Sequence, residues 1–244
     1  MKKMIVVCTA CLSVALCAAG TQAQLSFDRI LKGAQQMLGG QDSLSEDRIV
    51  AGLKEALTVG TGNAVDLVSA VNGYYRRPEI KIPLPGPVKK VETILRGLGF
   101  GDKVDEFEYS MNRAAEAAAP VAREIFVDAV KGMTFTDARQ ILQGRENEAT
   151  LYFERKTRGR LHEIFKPIVS DNLADVGATR RYQELDEKVR TIPFADAFSF
   201  DLNNYVTDGA LDGLFYMLAR EEQKIRENPA ARVTDLLKDV FGSR

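Results

Sequence analysis

All three cysteines of this chain, Cys8, Cys11 and Cys17, fall within its first 17 residues, and everything after them contains no cysteine, no tryptophan and a single histidine, His162. Beyond that opening stretch nothing can be stapled by disulfides, so the fold has to rest on an apolar core large enough to stand alone.

The opening stretch has the parts of a secretory leader. Lys2 and Lys3 supply a positive start, Met4 to Ala19 an uncharged apolar run, and Thr21 and Ala23 the small residues of a cleavage site, which predicts cleavage after Ala23. The apolar run is too short for a comfortable span of roughly 20 residues. Lipid attachment at Cys17 is disfavoured by Leu16 before it, and at Cys11 by the lack of a leucine at the right offset. Residues 24–244 are therefore expected to be periplasmic or secreted, with no transmembrane segment. The formal net charge of the whole chain is −1, and loss of Lys2 and Lys3 makes it two units more acidic. So balanced a charge gives no global pull toward nucleic acid or anionic lipid.

The hydrophobic pattern is helical nearly throughout. Val104, Phe107, Met111, Ala114, Ala115 and Ala118 recur at three- and four-residue steps and predict a helix over 102–118, capped by Asp102. Ala149, Tyr152, Phe153, Leu161, Ile164 and Phe165 predict a second helix, and Val206, Leu211, Leu214, Phe215, Leu218 and Ile225 a third over 204–226, stopping at Asn228-Pro229. Further helices are expected over 27–38, from about Ser45 to Val71 behind a Ser43–Glu46 capping signature, after Thr134-Phe135-Thr136-Asp137, and over 234–241. Arg76 to Pro87 differs: Pro78, Pro83, Pro85 and Pro87 crowd into it, and Glu79-Ile80-Lys81-Ile82 alternates with a strand's period of two. Because Ile80, Ile82 and Leu84 call for burial, this segment reads as an extended arm, residues 76–87, lying on the helical body rather than as a linker. The expected fold is all-α: one domain, 24–244, built as a bundle of about seven or eight helices with a proline-rich arm.

Most familiar chemistries lack their residues. One histidine and no cysteine beyond the leader exclude His/Cys zinc within one copy, and His162 has no Glu three residues before it for a di-iron bundle. Gly97-Leu98-Gly99-Phe100-Gly101 follows no strand and precedes no Gly-Lys-Ser/Thr, so it reads as a turn. Gly60-Thr61-Gly62 reads as a turn or helix break. Asp201 to Val206 starts like a calcium loop but has Tyr205 and Val206 where a ligand and glycine are needed, so capping by Asp201 or Asn203 explains it better. No Gly-x-Ser-x-Gly elbow is present, although a site around His162 or a carboxylate pair is not decided by sequence. No cofactor and no metal is expected.

One helical face is unusual. At 100° per residue Asn112, Arg113 and Glu116 lie opposite Phe107 and Met111, hemmed in by alanines. Facing water, they form a solvated stripe; covered, they bury a charged pair, which is costly and often functional. Two groups could converge with them: Thr150, Tyr152 and Arg155, and Tyr205, Thr207 and Asp208. The candidate binding residues are Arg113, Glu116, Tyr152 and Tyr205, lining an inter-helical pocket. Gly209 and Gly213, one turn apart, suit close helix packing, while Glu221 to Glu227 reads as a solvated face with helix pairs.

Phrases spread from Asp47 to Gly242 resemble a bacterial family known as domain of unknown function 4197. They are Gly52-Leu53-Lys54-Glu55-Ala56-Leu57, Ile82-Pro83-Leu84-Pro85, Met111-Asn112-Arg113-Ala114-Ala115-Glu116, Ala149-Thr150-Leu151-Tyr152-Phe153, Tyr205-Val206-Thr207 with Ala210 to Phe215, and Leu236 to Gly242. The resemblance implies a secreted, mostly helical domain and no particular activity. Three readings of function stay open: a non-enzymatic envelope binding or scaffold protein, a carboxylate- or His162-dependent hydrolase or transferase, and an assembly partner docking through residues 76–87 on another envelope protein.

Overall fold

The apolar repeats become eight α-helices in the computed structural model, which describes residues 46–175, 177–190 and 200–227. In chain order these are α1 (Glu46–Ser69), α2 (Gly86–Gly97), α3 (Gly101–Ala118), α4 (Ala122–Lys131), α5 (Phe135–Gln143), α6 (Glu148–Asp175), α7 (Ala178–Val189) and α8 (Leu202–Glu227), with a 3-10 turn at Ala119–Val121 between α3 and α4. No strand occurs among the described residues, so the chain is all-α. The leader and the helices expected over 27–38 and 234–241 lie outside the described residues.

Two long helices organise the rest. α8 packs against α1, α3 and α6, and α6 packs in turn against α3, α4, α5 and α7. Buried residues ring α8 on several sides, Val206, Ala210, Leu211, Leu214, Phe215 and Leu218 among them, as expected of a helix enclosed by neighbours. Phe126 of α4 meets Phe153 of α6 and Phe215 of α8 edge to face, with centroids 5.3 and 6.0 Å away, which centres the core on three aromatic rings.

Several local expectations are met and others corrected. Thr134 caps α5 in a reciprocal box with Asp137, whose carboxyl the Thr134 hydroxyl and backbone hold below the usual range. Asp201 caps α8 by accepting from the Asn204 amide at 2.9 Å. Gly99, with φ +86°, turns the chain between α2 and α3. Asp102, expected to cap α3, instead sits in its first turn, where a carboxylate favours the positive end of the helix dipole. Gly60-Thr61-Gly62 breaks nothing: α1 runs straight through, because a Cβ on Gly60 would lie 3.1 Å from Ile225 and one on Gly62 3.0 Å from Arg123, so the glycines admit α8 and an arginine. Past Phe165, α6 continues through Pro167 to Asp175. Val169 and Leu173 extend the stripe of Leu161 and Phe165, and their burial offsets a proline whose cost inside a helix is about 3 kcal/mol.

The period-two segment is not a strand. Residues 71–76 and 78–80 are turns and 81–85 have no regular structure before α2 begins at Gly86. Ile80, Ile82 and Leu84 are nevertheless buried, in the same apolar cluster as the helices. Gly209 and Gly213 of α8 make room for this segment rather than for another helix: their Cβ atoms would meet Ile82 Cγ1 at 3.1 Å and Tyr74 Cε1 at 2.5 Å.

Gly213→Ala should therefore cost about 2 kcal/mol through overpacking, whereas Gly159→Ala, where nothing lies within 4 Å, should gain about 0.5–1 kcal/mol from helix propensity. Urea unfolding of both variants checks the pair; equal midpoints would contradict the packing described.

Candidate functional site

The polar face of α3 is covered, and what covers it is the chain itself. Asn112 is fully buried, and its side-chain amide pairs with the N–H and C=O of a single residue, Ile82, as a neighbouring strand would. Oδ1 accepts from Ile82 N–H at 2.9 Å, and Nδ2 donates to Ile82 C=O at 2.9 Å and to Glu108 C=O at 2.8 Å. One helical turn on, the Glu116 carboxylate, 1% exposed, accepts from the backbone N–H groups of Asn72 and Tyr74, both at 3.1 Å, and of Tyr75 at 3.4 Å. Arg113, at 30% side-chain exposure, donates to the same carboxylate from the solvent side.

Local sequence explains why the turn offers those amides. Asn72 takes φ +63°, which asparagine tolerates better than most residues. At Gly73 any Cβ would collide with the carbonyl oxygens of Leu67, Val68 and Ala70. This Asn-Gly pair follows the end of α1, Gly73 N–H donating to Ala70 C=O at 2.8 Å, and turns the N–H groups of Asn72, Tyr74 and Tyr75 inward as a concave anion nest, which the Glu116 carboxylate fills. Tyr74 then enters the core, where its hydroxyl donates to Ala210 C=O at 2.6 Å and burial, reinforced by Glu116 and Asp212, drives its pKa far upward. Tyr205 completes the arrangement by donating to Pro83 C=O at 3.1 Å.

The four candidate residues are thus split between two places. Arg113, Glu116 and Tyr205 converge on residues 72–83 and hold that segment down. Tyr152 lies apart, on α6 facing α4, where its hydroxyl donates to Ala129 C=O at 3.0 Å. There it walls an open cleft of about 250 Å³ that contains none of the other three. Ile125 and Ala129 form the apolar side of this cleft, Asp128 stands on α4, and Lys156 and Arg160 project from α6. Lys156 Nζ stands 5.9 Å from the centre of the Tyr152 ring. Burial and the charge of Asp137 push the Tyr152 hydroxyl up from its ordinary pKa, so at neutral pH it serves as a donor.

The other suggested clusters go elsewhere. Thr150 bonds to Glu222 and Arg155 lies 3.7 Å from Glu148. Asp208 Oδ1 stands 3.5 Å from Nε2 of His162, whose side chain is 34% exposed. Thr207 is fully buried, and its Oγ1 has no hydrogen-bond partner among the described residues. Among the described residues no group of three or more His, Cys, Asp or Glu side chains could hold a metal ion, and no helix is long and apolar enough to cross a membrane.

The residue that sequence reasoning missed is Glu222. Far from lying on a solvated face, it is 4% exposed and caps α6 from outside, accepting from Ala149 N–H at 3.0 Å and from Thr150 N–H and Oγ1 at 2.8 Å. Arg226 pairs with it and donates to Ile141 C=O, the far end of α5. A signal was present: Glu222 follows Leu211, Phe215 and Leu218 at four- and three-residue steps, on the buried stripe of α8.

Glu116→Ala should cost about 3 kcal/mol, since it strands buried amides, and Glu222→Ala a similar amount. Arg113→Ala, at the solvent edge, should cost less than about 1 kcal/mol. Denaturant unfolding ranks the three; an Arg113→Ala loss matching that of Glu116→Ala would show the pair to be one buried unit.

The chain was compared with curated proteins and with solved structures, and neither comparison gives a match. A family model does match, over residues 43–242, its family described as "Protein of unknown function (DUF4197)". Because that match takes in α1 to α8 together with the 72–83 segment and the α4–α6 cleft, the chain belongs to the DUF4197 family.

Proposed function

We propose that this protein is a non-enzymatic binding or scaffold protein of the periplasm or outer envelope, exported by the leader 1–23 and holding a small molecule in the cleft between α4 and α6. The observation that carries the reading is the cleft itself. It is an open cleft of about 250 Å³, smaller than the usual drug-sized pocket, with Ile125 and Ala129 on one side and Asp128, Lys156 and Arg160 at its edge, a make-up that suits a molecule of few atoms. The 72–83 clamp is on this reading a framework: its polar groups are spent on backbone.

A second reading keeps an envelope hydrolase or transferase in view, because His162 and Asp208 stand close enough for the carboxylate to orient the imidazole. Turnover of generic ester, phosphate or peptidoglycan substrates that disappears in His162→Ala would favour it. Against docking of a partner through residues 76–87 stands the burial of Ile80, Ile82 and Leu84. Deleting those residues should collapse helicity, as circular dichroism would register, rather than remove a partner from an intact fold.

Native mass spectrometry of the protein taken gently from its own envelope tests the leading reading. The expected result is a mature chain starting at Gln24 with a reproducible small adduct that is lost on denaturation. A chain without any adduct, coupled with turnover in the substrate screen, would overturn it.

A further inference from the structure

The basic residues of α6 differ in how they are paired. Arg158 is engaged by Glu154 at 3.1 Å and by Asp212 at 2.5 Å, and Arg155 lies 3.7 Å from Glu148. Lys156, Arg160 and Lys166 have no carboxylate partner among the described residues, and the first two line the cleft. They are exposed and one helical turn apart, a spacing at which like charges repel and weaken a helix. Lys131, at the end of α4, adds positive charge beside Asp128, at 3.9 Å, and its carbonyl accepts from Lys54 of α1 at 3.4 Å. Acidic groups in reach include Asp128 in the cleft, Glu163 one helical turn on from Arg160, and Asp137, which Lys156 and Arg155 influence from a distance while Thr134 bonds to it directly.

We propose that the cleft takes a small amphiphilic anion, its carboxylate or phosphate head held between Lys156 and Arg160 and its short apolar body laid against Ala129 and the small exposed edges of Ile125 and Tyr152, 5% and 3% exposed. This inference rests on the cleft being the ligand site. The chemistry fits each part. A guanidinium offers a planar fork that matches carboxylate and phosphate oxygens, and a lysine adds a point charge. A bound anion would relieve the repulsion between the two cations. The apolar wall accounts for the body, since a bare inorganic anion would gain nothing from Ile125 and Ala129. Asp128 stands on the α4 side of the cleft and disfavours a second negative charge there, so the anionic group belongs at one end of the ligand.

Amide chemical shifts of the full-length mature protein test this with hexanoate, hexyl phosphate, inorganic phosphate and neutral hexanamide as probes. The expected result is saturable movement of the Ala129 and Gly132 amides with hexanoate or hexyl phosphate, at millimolar affinity given so few ligand atoms. Hexanamide and inorganic phosphate should bind at least about tenfold more weakly, because each lacks either the charge or the apolar body. The ratio between hexanoate and hexyl phosphate tells which head the site prefers. Lys156→Gln combined with Arg160→Gln should remove that charge preference while leaving the thermal midpoint within a degree or two, since both side chains are exposed. Hexanamide binding as well as hexanoate at the same amides would overturn the anionic head and leave the cleft standing as a site. Shifts confined to residues away from α4 and α6 would overturn the cleft and this inference together. No movement with any probe would overturn the anionic class, and a native adduct retained by the double variant would show the binding role surviving without it.

Discussion

A carboxylate closed off from water by the turn that it binds is the interaction on which the rest depends. Glu116 is nearly inaccessible, yet it neutralises three inward-pointing N–H groups of a turn that would otherwise carry unpaired donors into the core. With that turn fixed, Tyr74 reaches Ala210, Ile80 and Ile82 fill the space over Gly209 and Gly213, and the chain is delivered to the start of α2. Asn112 secures the next peptide along. Irregular backbone can be buried only where its polar groups find partners, and α3 supplies those partners from one face.

The same solution recurs at the opposite part of α8. Glu222 supplies acceptors to the first amides of α6, and Arg226 supplies a donor to a carbonyl ending α5. In both cases a charged side chain on a buried helical stripe satisfies the end of another element. α8 therefore does more than fill the core: its glycines admit the 72–83 segment near one end, and its Glu–Arg pair ties two helix termini together near the other. The α4–α6 cleft lies outside both networks, which leaves its cationic side chains uncommitted.

Much of the helical layout was legible because periodicity and capping are local. The three- and four-residue repeats over α3, α6 and α8 correspond to helices, and the Thr134–Asp137 box starts α5 as its spacing suggests. α2, α4 and α7 are less plain in the sequence, being short helices with few fully buried residues apiece. The polar face of α3 was visible as an anomaly. Its occupant was not, because nothing in Asn112 or Glu116 says that the covering surface is backbone from 30 to 44 residues earlier in the chain. The same distance in sequence hid Glu222, whose backbone partners lie more than 70 residues away.

The sequence by itself determined the all-α class, the absence of disulfide support beyond Cys17 and the oddity of a charged pair among alanines. Each follows from side-chain volume, periodicity or backbone permissiveness within a few residues. Tertiary structure alone decided which of those polar groups are spent and which remain free. Glu116, Asn112 and Glu222 became structural because packing brought unpaired backbone to them, whereas Lys156 and Arg160 were left at an open cleft with no carboxylate bonded to them among the described residues. A hydrogen bond between distant segments depends on where whole helices come to rest, and that is set by the burial of the core as a whole rather than by any local pattern.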